Sequence, residues 1–268
     1  MFNLLRMDLY RVKRGRSVYV IFGILLFCSV AIFGMLWLLA TPGGQKTALR
    51  IGMLSMEELG DFRALLDGTN VLGLFRQASL DGGMYNTLFG IWFMLFICTD
   101  FQSGFIKNIM ALHQNRWRYV GSKLLTAGIV DLCYLLGHLA FTLLLNGLFG
   151  NMVPGAGWRE TVFYLSYAWL LTMAFAALIL FACVLFRNMA AGTLVAVLFG
   201  SGVLVMTLYR VCSLFHMGGW LEYTIYLSLA TGPERYASAR DLKVYLVGSG
   251  FLALYTAAAG LLLKKRDI

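Results

Sequence analysis

Long apolar runs alternate with short polar stretches along the chain. Six runs come close to or exceed the ~20 residues with which an α-helix crosses the ~30 Å hydrocarbon core of a bilayer. They predict spans over Ser17–Ala40, Gly83–Thr99, Leu124–Phe149, Val162–Phe186, Ala190–Tyr209 and Leu242–Leu263. Thr41-Pro42-Gly43-Gly44 ends the first span and Asp100 stops the second. Trp220–Ala230 is also apolar, but at 11 residues it makes only about 16 Å of helix. That length fits a re-entrant or interfacial hairpin before the last span better than a full crossing.

Shorter patterns are amphipathic. In Met1–Arg16, Phe2, Leu5, Leu9 and Val12 form one stripe, with Arg11 and Arg14 opposite and Arg6 and Lys13 on the flanks. A helix of this kind lies in the headgroup plane with its apolar face down. Residues 41–82 are too polar to span. Within them Ser55-Met56-Glu57-Glu58 reads as a capping box, Leu59, Phe62 and Leu66 follow on one face, and Gly68 stops the helix. Val71, Leu74, Phe75 and Ala78 predict a second short amphipathic turn. Two small helices on the outer surface are expected. The whole chain, 1–268, then reads as one all-α membrane domain, because six spans leave little for a soluble one.

Charge gives the spans a direction. Segments assigned to the inside (1–16, 100–123, the turn at Arg187-Asn188 and the tail) hold 13 of the 22 Lys and Arg and only three acids, Asp8, Asp100 and Asp267. The outer segments hold nine basic and nine acidic residues. Such a Lys/Arg bias orients spans with the basic side in the cytoplasm, so both ends are expected inside. The same sorting ties the net charge of +9 to anionic lipid headgroups rather than to nucleic acid. With 60% hydrophobic and 13% charged residues, the chain is far from a soluble composition of about a quarter charged. The first run lacks a small-residue cleavage site and is expected to remain as a span.

Catalytic and metal signatures are weak. Cys28, Cys98, Cys133, Cys183 and Cys212 are scattered without a C-x-x-C pair and read as buried small hydrophobes. Gly43-Gly44-Gln45-Lys46-Thr47 lacks the spacing of a phosphate-binding loop. Gly200-Ser201-Gly202 and Gly248-Ser249-Gly250 do not form a nucleophile elbow and fit close helix packing. Asp131, Tyr134 and His138 stand at i, i+3 and i+7 within the third span, hence on one face. Ionisable groups at that depth face protein or water. Two readings follow: a proton relay or polar patch on a substrate path, and a hydrogen-bonded contact that fixes helix packing.

The inner connection after Asp100 is the most specific segment. Ser103 can cap a helix in which Phe105, Ile109 and Leu112 make one apolar face, widened by Ile106 and Met110, with Lys107, Arg116, Arg118 and Lys123 on the polar side. It reads either as an interfacial helix held by lipid or as a coupling helix whose anchors enter a groove on a partner. Asp100-x-x-x-Gly104-x-x-Lys107-Asn108, then Asn115-Arg116 and Lys123 at the head of the next span, resembles the permeases of the ABC-2 family. Met7-Asp8-Leu9-Tyr10-Arg11, the terminal Lys264-Lys265-Arg266-Asp267-Ile268, the six spans and the half-membrane stretch are similar as well. The outer segment after span one is longer than in minimal members. The resemblance implies the membrane subunit of an ATP-driven transporter in a bacterial plasma membrane, with no enzyme site or cofactor of its own. ATP-Mg is expected on a separate cytoplasmic ATPase subunit, and a second permease subunit, identical or paralogous, beside this one. It implies that Ser103, Gly104, Phe105, Ile106, Lys107, Asn108, Ile109 and Leu112 couple to the ATPase. It also implies a hydrophobic or amphipathic cargo, such as a membrane-active antimicrobial peptide, for export or immunity. A proton-coupled secondary transporter using Asp131 and His138 and a non-transporting membrane scaffold stand as the other classes.

Overall fold

The computed structural model describes residues 2–52, 55, 60, 68–112, 116–215 and 218–265. Among the described residues every regular element is helical. Among the same residues five helices are long and apolar enough to cross a membrane, and one bent pair would make a sixth crossing.

The centre is helix α8 (Trp158–Phe186). Its sequence is apolar all round, and a helix with no polar face has to be enclosed by others; 72% of its most apolar window is buried. In chain order the other described α-helices are α1 (Phe2–Arg14), α2 (Arg16–Ala40), α3 (Pro42–Arg50), α4 (Val71–Phe75), α5 (Met84–Gln102), α6 (Phe105–Leu112), α7 (Trp117–Leu148), α9 (Met189–Gly200), α10 (Val203–Leu214), α11 (Ile225–Ala230) and α12 (Lys243–Lys265). Helix α12 lies along α8: Gly248 lets it approach Leu170, and Tyr245 Oη meets Ser166 Oγ at 2.5 Å near the start of both helices. The two therefore run parallel. Helices α5 and α7 cover other sides of α8, and α2 is peripheral, with only 28% of its window buried. Helix α2 is held to α7 where Gly137 leaves room for the Phe22 ring.

Where α1 packs on α7, Asp8 and Ser122 are hydrogen-bonded. Trp117, at the start of α7, lies against Gly260 near the end of α12, and Arg116 donates to the Leu263 carbonyl. The Arg187 guanidinium, just after α8, sits 6.0 Å from the Phe101 ring at the end of α5. The described ends of the chain thus meet at one end of the bundle, together with the ends of α5 and α8 and the start of α7. Since α8 and α12 both start at the opposite end, the chain returns across the bundle between residues 187 and 242.

That return differs from the predicted continuous span over Ala190–Tyr209. Helix α9 packs tightly along α5, with Gly192 against Met94 and Gly200 against Thr87. It then breaks, and α10 leaves at 52°. The cause is Gly202, whose φ of +72° is open to glycine and costly for other residues. The Tyr226 ring fills the space where a side chain at 202 would stand. Trp220–Ala230, too short to cross, forms a 3₁₀ turn (Gly218–Tyr223) and the buried helix α11, capped by the Thr224 hydroxyl.

The outer segment also departs from expectation. Thr41 caps α3 by accepting from Gly44 N. The predicted helix over Ser55–Leu66 lies, apart from Ser55 and Gly60, outside the described residues. The amphipathic turn predicted on the surface at residues 71–78 is α4, continued by a π-helical turn over Arg76–Asp81. It is inserted among the spans: Val71, Leu72, Leu74, Phe75 and Leu80 are all at most 2% exposed. Val-Leu-Gly-Leu-Phe has no polar face to present to water, so burial on all sides is its stable place.

Candidate functional site

At the end of the bundle where both chain ends meet, four charged side chains converge. Lys123, with no exposed surface, places Nζ 2.7 Å from Asp8 Oδ1 and 2.7 Å from Asp100 Oδ2. Arg11 reaches Asp100 Oδ1 at 2.7 Å and Asp8 Oδ1 at 3.8 Å. The Ser122 hydroxyl donates to Asp8 Oδ2 at 2.8 Å, and the Tyr119 hydroxyl donates to Asp100 Oδ2 at 3.2 Å. Two carboxylates and two cations leave the cluster neutral. That matters because an unbalanced buried charge is costly, whereas a hydrogen-bonded pair is tolerated. Phe96 provides a ring under both cations, 4.2 Å from Lys123 Nζ and 5.3 Å from the Arg11 guanidinium.

Each residue reaches the cluster because of its place on a helix. Leu4, Asp8 and Arg11 follow at i, i+4 and i+7, so one edge of α1 faces α7; Leu4 and Asp8 are buried there. Asp100 stands in the last turn of α5, and Tyr119, Ser122 and Lys123 in the first two turns of α7. Helix α6 joins through Phe105, whose ring lies 5.1 Å from the Arg11 guanidinium. The cluster therefore ties α1, α5, α6 and α7 into one unit.

The residues expected to couple to a partner divide. Ser103 ends α5 instead of starting α6: its hydroxyl donates to the Thr99 carbonyl at 2.6 Å. Gly104 turns the chain with φ +68°, the left-handed residue common after a helix end. On α6, Ile106 and Ile109 are 2% and 5% exposed and belong to the protein's own core, with Phe105 packed against it. Lys107 is exposed. The side chains of Asn108 and Leu112 lie outside those described. The outward surface of α6 thus includes Lys107, while two of its apolar anchors face inward.

Asp131, Tyr134 and His138 are all buried on the inward face of α7, but their hydrogen bonds go to three different helices. Asp131 accepts from the Tyr85 hydroxyl of α5 at 2.6 Å and from the Thr172 hydroxyl of α8 at 2.5 Å. Tyr134 donates to the Val18 carbonyl of α2. His138 Nε2 is 2.6 Å from Ser29 Oγ, also on α2, while Phe75 of α4 covers its ring at 5.0 Å. Among the described residues His138 Nδ1 has no hydrogen-bond partner. The geometry is that of polar contacts pinning α7 to three neighbours.

Sequence reasoning met Asp8, Arg11, Asp100 and Lys123 only as separate motif letters. A usable signal was present: Asp8 and Asp100 are two of the three acids on a side with 13 bases, and Asp100 and Lys123 both sit at span ends. Nothing in the sequence singles out Tyr85 or Thr172. Among the described residues no group of three or more His, Cys, Asp or Glu side chains could hold a metal ion. Compared with models of known protein families and with curated proteins, the chain matches none.

Proposed function

We propose that the protein is the permease subunit of an ATP-driven transporter, of the ABC-2 type that its motifs resemble. In this reading both ends of the chain are cytoplasmic, in a bacterial plasma membrane. ATP-Mg belongs to a separate ATPase subunit that binds at the basic end, and a second permease subunit completes the translocation path. The cargo is a hydrophobic or amphipathic molecule, such as a membrane-active peptide, moved outward.

The ion cluster is the observation that carries this reading. A partner pushing on α6 or α1 would push on the ends of α5 and α7 as well, because Arg11, Asp100 and Lys123 lock these elements together. A rigid unit of this kind can convert closure of a partner into a shift of spans, with the interface as the bistable element. The bent α9–α10 pair supplies a place where the bundle can yield. Affinity purification of the tagged protein in mild detergent tests the proposal: an ATPase subunit should co-purify, and Lys107→Glu, on the exposed side of α6, should weaken its retention. Transport driven by a proton gradient, with no ATPase attached, would instead fit the secondary-transporter reading.

A further inference from the structure

Between helices α7 and α12, over α8, lies a groove of about 690 Å³ at the apolar surface of the bundle. One wall carries Trp117, Gly121, Leu125, Gly128 and Leu132 of α7, and the other carries Ala253 and Ala257 of α12. Trp169 and Met173 of α8 form the floor. Gly128 deepens it, since a side chain there would meet Met173 Sδ at 3.2 Å. Trp117, packed on Gly260, closes the groove at the basic end.

The charge at that end is specific. Arg118 precedes Gly121, Leu125, Gly128 and Leu132 by 3, 7, 10 and 14 positions, so it continues the stripe of the first wall. Lys264 follows Ala257 by seven and continues the second; Lys265 adjoins it. All three are exposed. Among the described residues none of them takes part in an ion pair. An apolar slot with an exposed basic mouth complements a lipid with an acyl chain and an anionic headgroup. Basic pockets between membrane helices bind such headgroups.

The dimensions favour a chain over a helix. From Trp117 to Leu132 the groove runs about 22 Å along α7. It stops well short of Leu148, where α7 ends, so a crossing helix would lose its seat midway. Trp117, 43% exposed, marks the headgroup level, where Trp side chains are enriched.

We infer that the α7–α12 groove binds one anionic phospholipid, its acyl chain along Gly121–Leu132 and its phosphate at Arg118, Lys264 and Lys265. This stands apart from the transport reading. Native mass spectrometry of the delipidated full-length protein in detergent tests it, using phosphatidylglycerol and phosphatidylcholine of equal chain length. Wild type should retain one phosphatidylglycerol in preference to phosphatidylcholine by roughly a hundredfold, taking about fivefold for each basic residue. The variant R118Q/K264Q/K265Q should lose at least tenfold of that roughly hundredfold preference. Ala253→Phe, which fills the slot, should reduce retention of both lipids. Equal retention of the two lipids by wild type overturns the inference without relying on any variant. Cross-linking between copies through Leu132→Cys also overturns it, since a second copy then occupies the groove.

Discussion

Lys123 is a fully buried cation standing between two carboxylates. Its replacement by Met leaves Arg11 facing both Asp8 and Asp100, one negative charge in excess. Removing one partner of a buried ion pair costs about 3–5 kcal/mol, so K123M should unfold at clearly lower temperature in detergent. Adding Asp8→Asn makes the cluster neutral again and should recover part of the loss; a double variant worse than K123M would mean that charge balance is not what holds it. The core around Asp131 follows hydrogen-bond arithmetic instead. Tyr85→Phe and Thr172→Val each remove one donor to its carboxyl group, at about 1–3 kcal/mol apiece where the site stays dry. Asp131→Asn keeps an acceptor in place and should cost less than Asp131→Leu, as read by thermal unfolding. If a well-folded Asp131→Asn or His138→Ala lost transport while keeping its partners, the relay reading would take precedence over the packing one. That the three polar residues of α7 share a face was legible from their spacing. Their partners were not, because periodicity on one helix does not tell which helix stands opposite.

Length and polarity made the long helices legible. The five helices that the structure finds long and apolar enough to cross coincide with five of the predicted apolar runs, and the short stretch at 220–230 makes no long helix. What the pattern could not show is where an apolar run bends. Ala190–Tyr209 reads as a span because every residue in it suits one, yet it contains Gly200-Ser201-Gly202. By composition these small residues suit packing contacts. Gly200 is one, against Thr87, but Gly202 is the hinge. A side chain at 202 meets two obstacles: a left-handed backbone, costing about 1–2 kcal/mol, and the Tyr226 ring. Gly202→Ala should therefore lower stability by more than the strain alone. Combining it with Tyr226→Ala should not add the full cost of the second change, because the overlap is gone. Simple additivity in thermal unfolding would place the ring elsewhere. Helix α4 departs from the expected surface position for a related reason. Val71, Leu74 and Phe75 form one stripe, but Leu72 and Gly73 between them leave no polar face at all.

For the whole molecule, the contacts fix which ends lie together, and the charges supply the side. Asp8 with Lys123, and Arg116 with the Leu263 carbonyl, bring the start and the end of the chain to one end of the bundle. Helices α8 and α12 run parallel, so the bent pair and the segment after it must carry the chain back across; only then is the number of crossings even. At the same end Lys107, Arg118, Lys264 and Lys265 are exposed, while Arg235 and Arg240 are exposed beyond α11, toward the start of α12. In the proposed orientation, which follows the Lys/Arg bias, the first group faces the cytoplasm. Single cysteines placed in a cysteine-free background give a direct check. With a membrane-impermeant maleimide, Arg235→Cys should label in intact cells, whereas Lys107→Cys and Lys265→Cys should label only after the membrane is opened. Labelling of 107 but not 265 in intact cells would separate two ends that the helix contacts hold together, and would mean that the α9–α10 bend turns the chain back instead of carrying it through. Labelling of both 107 and 265, with 235 protected, would keep the bundle but invert it, removing the cytoplasmic face on which the proposed ATPase partner would dock.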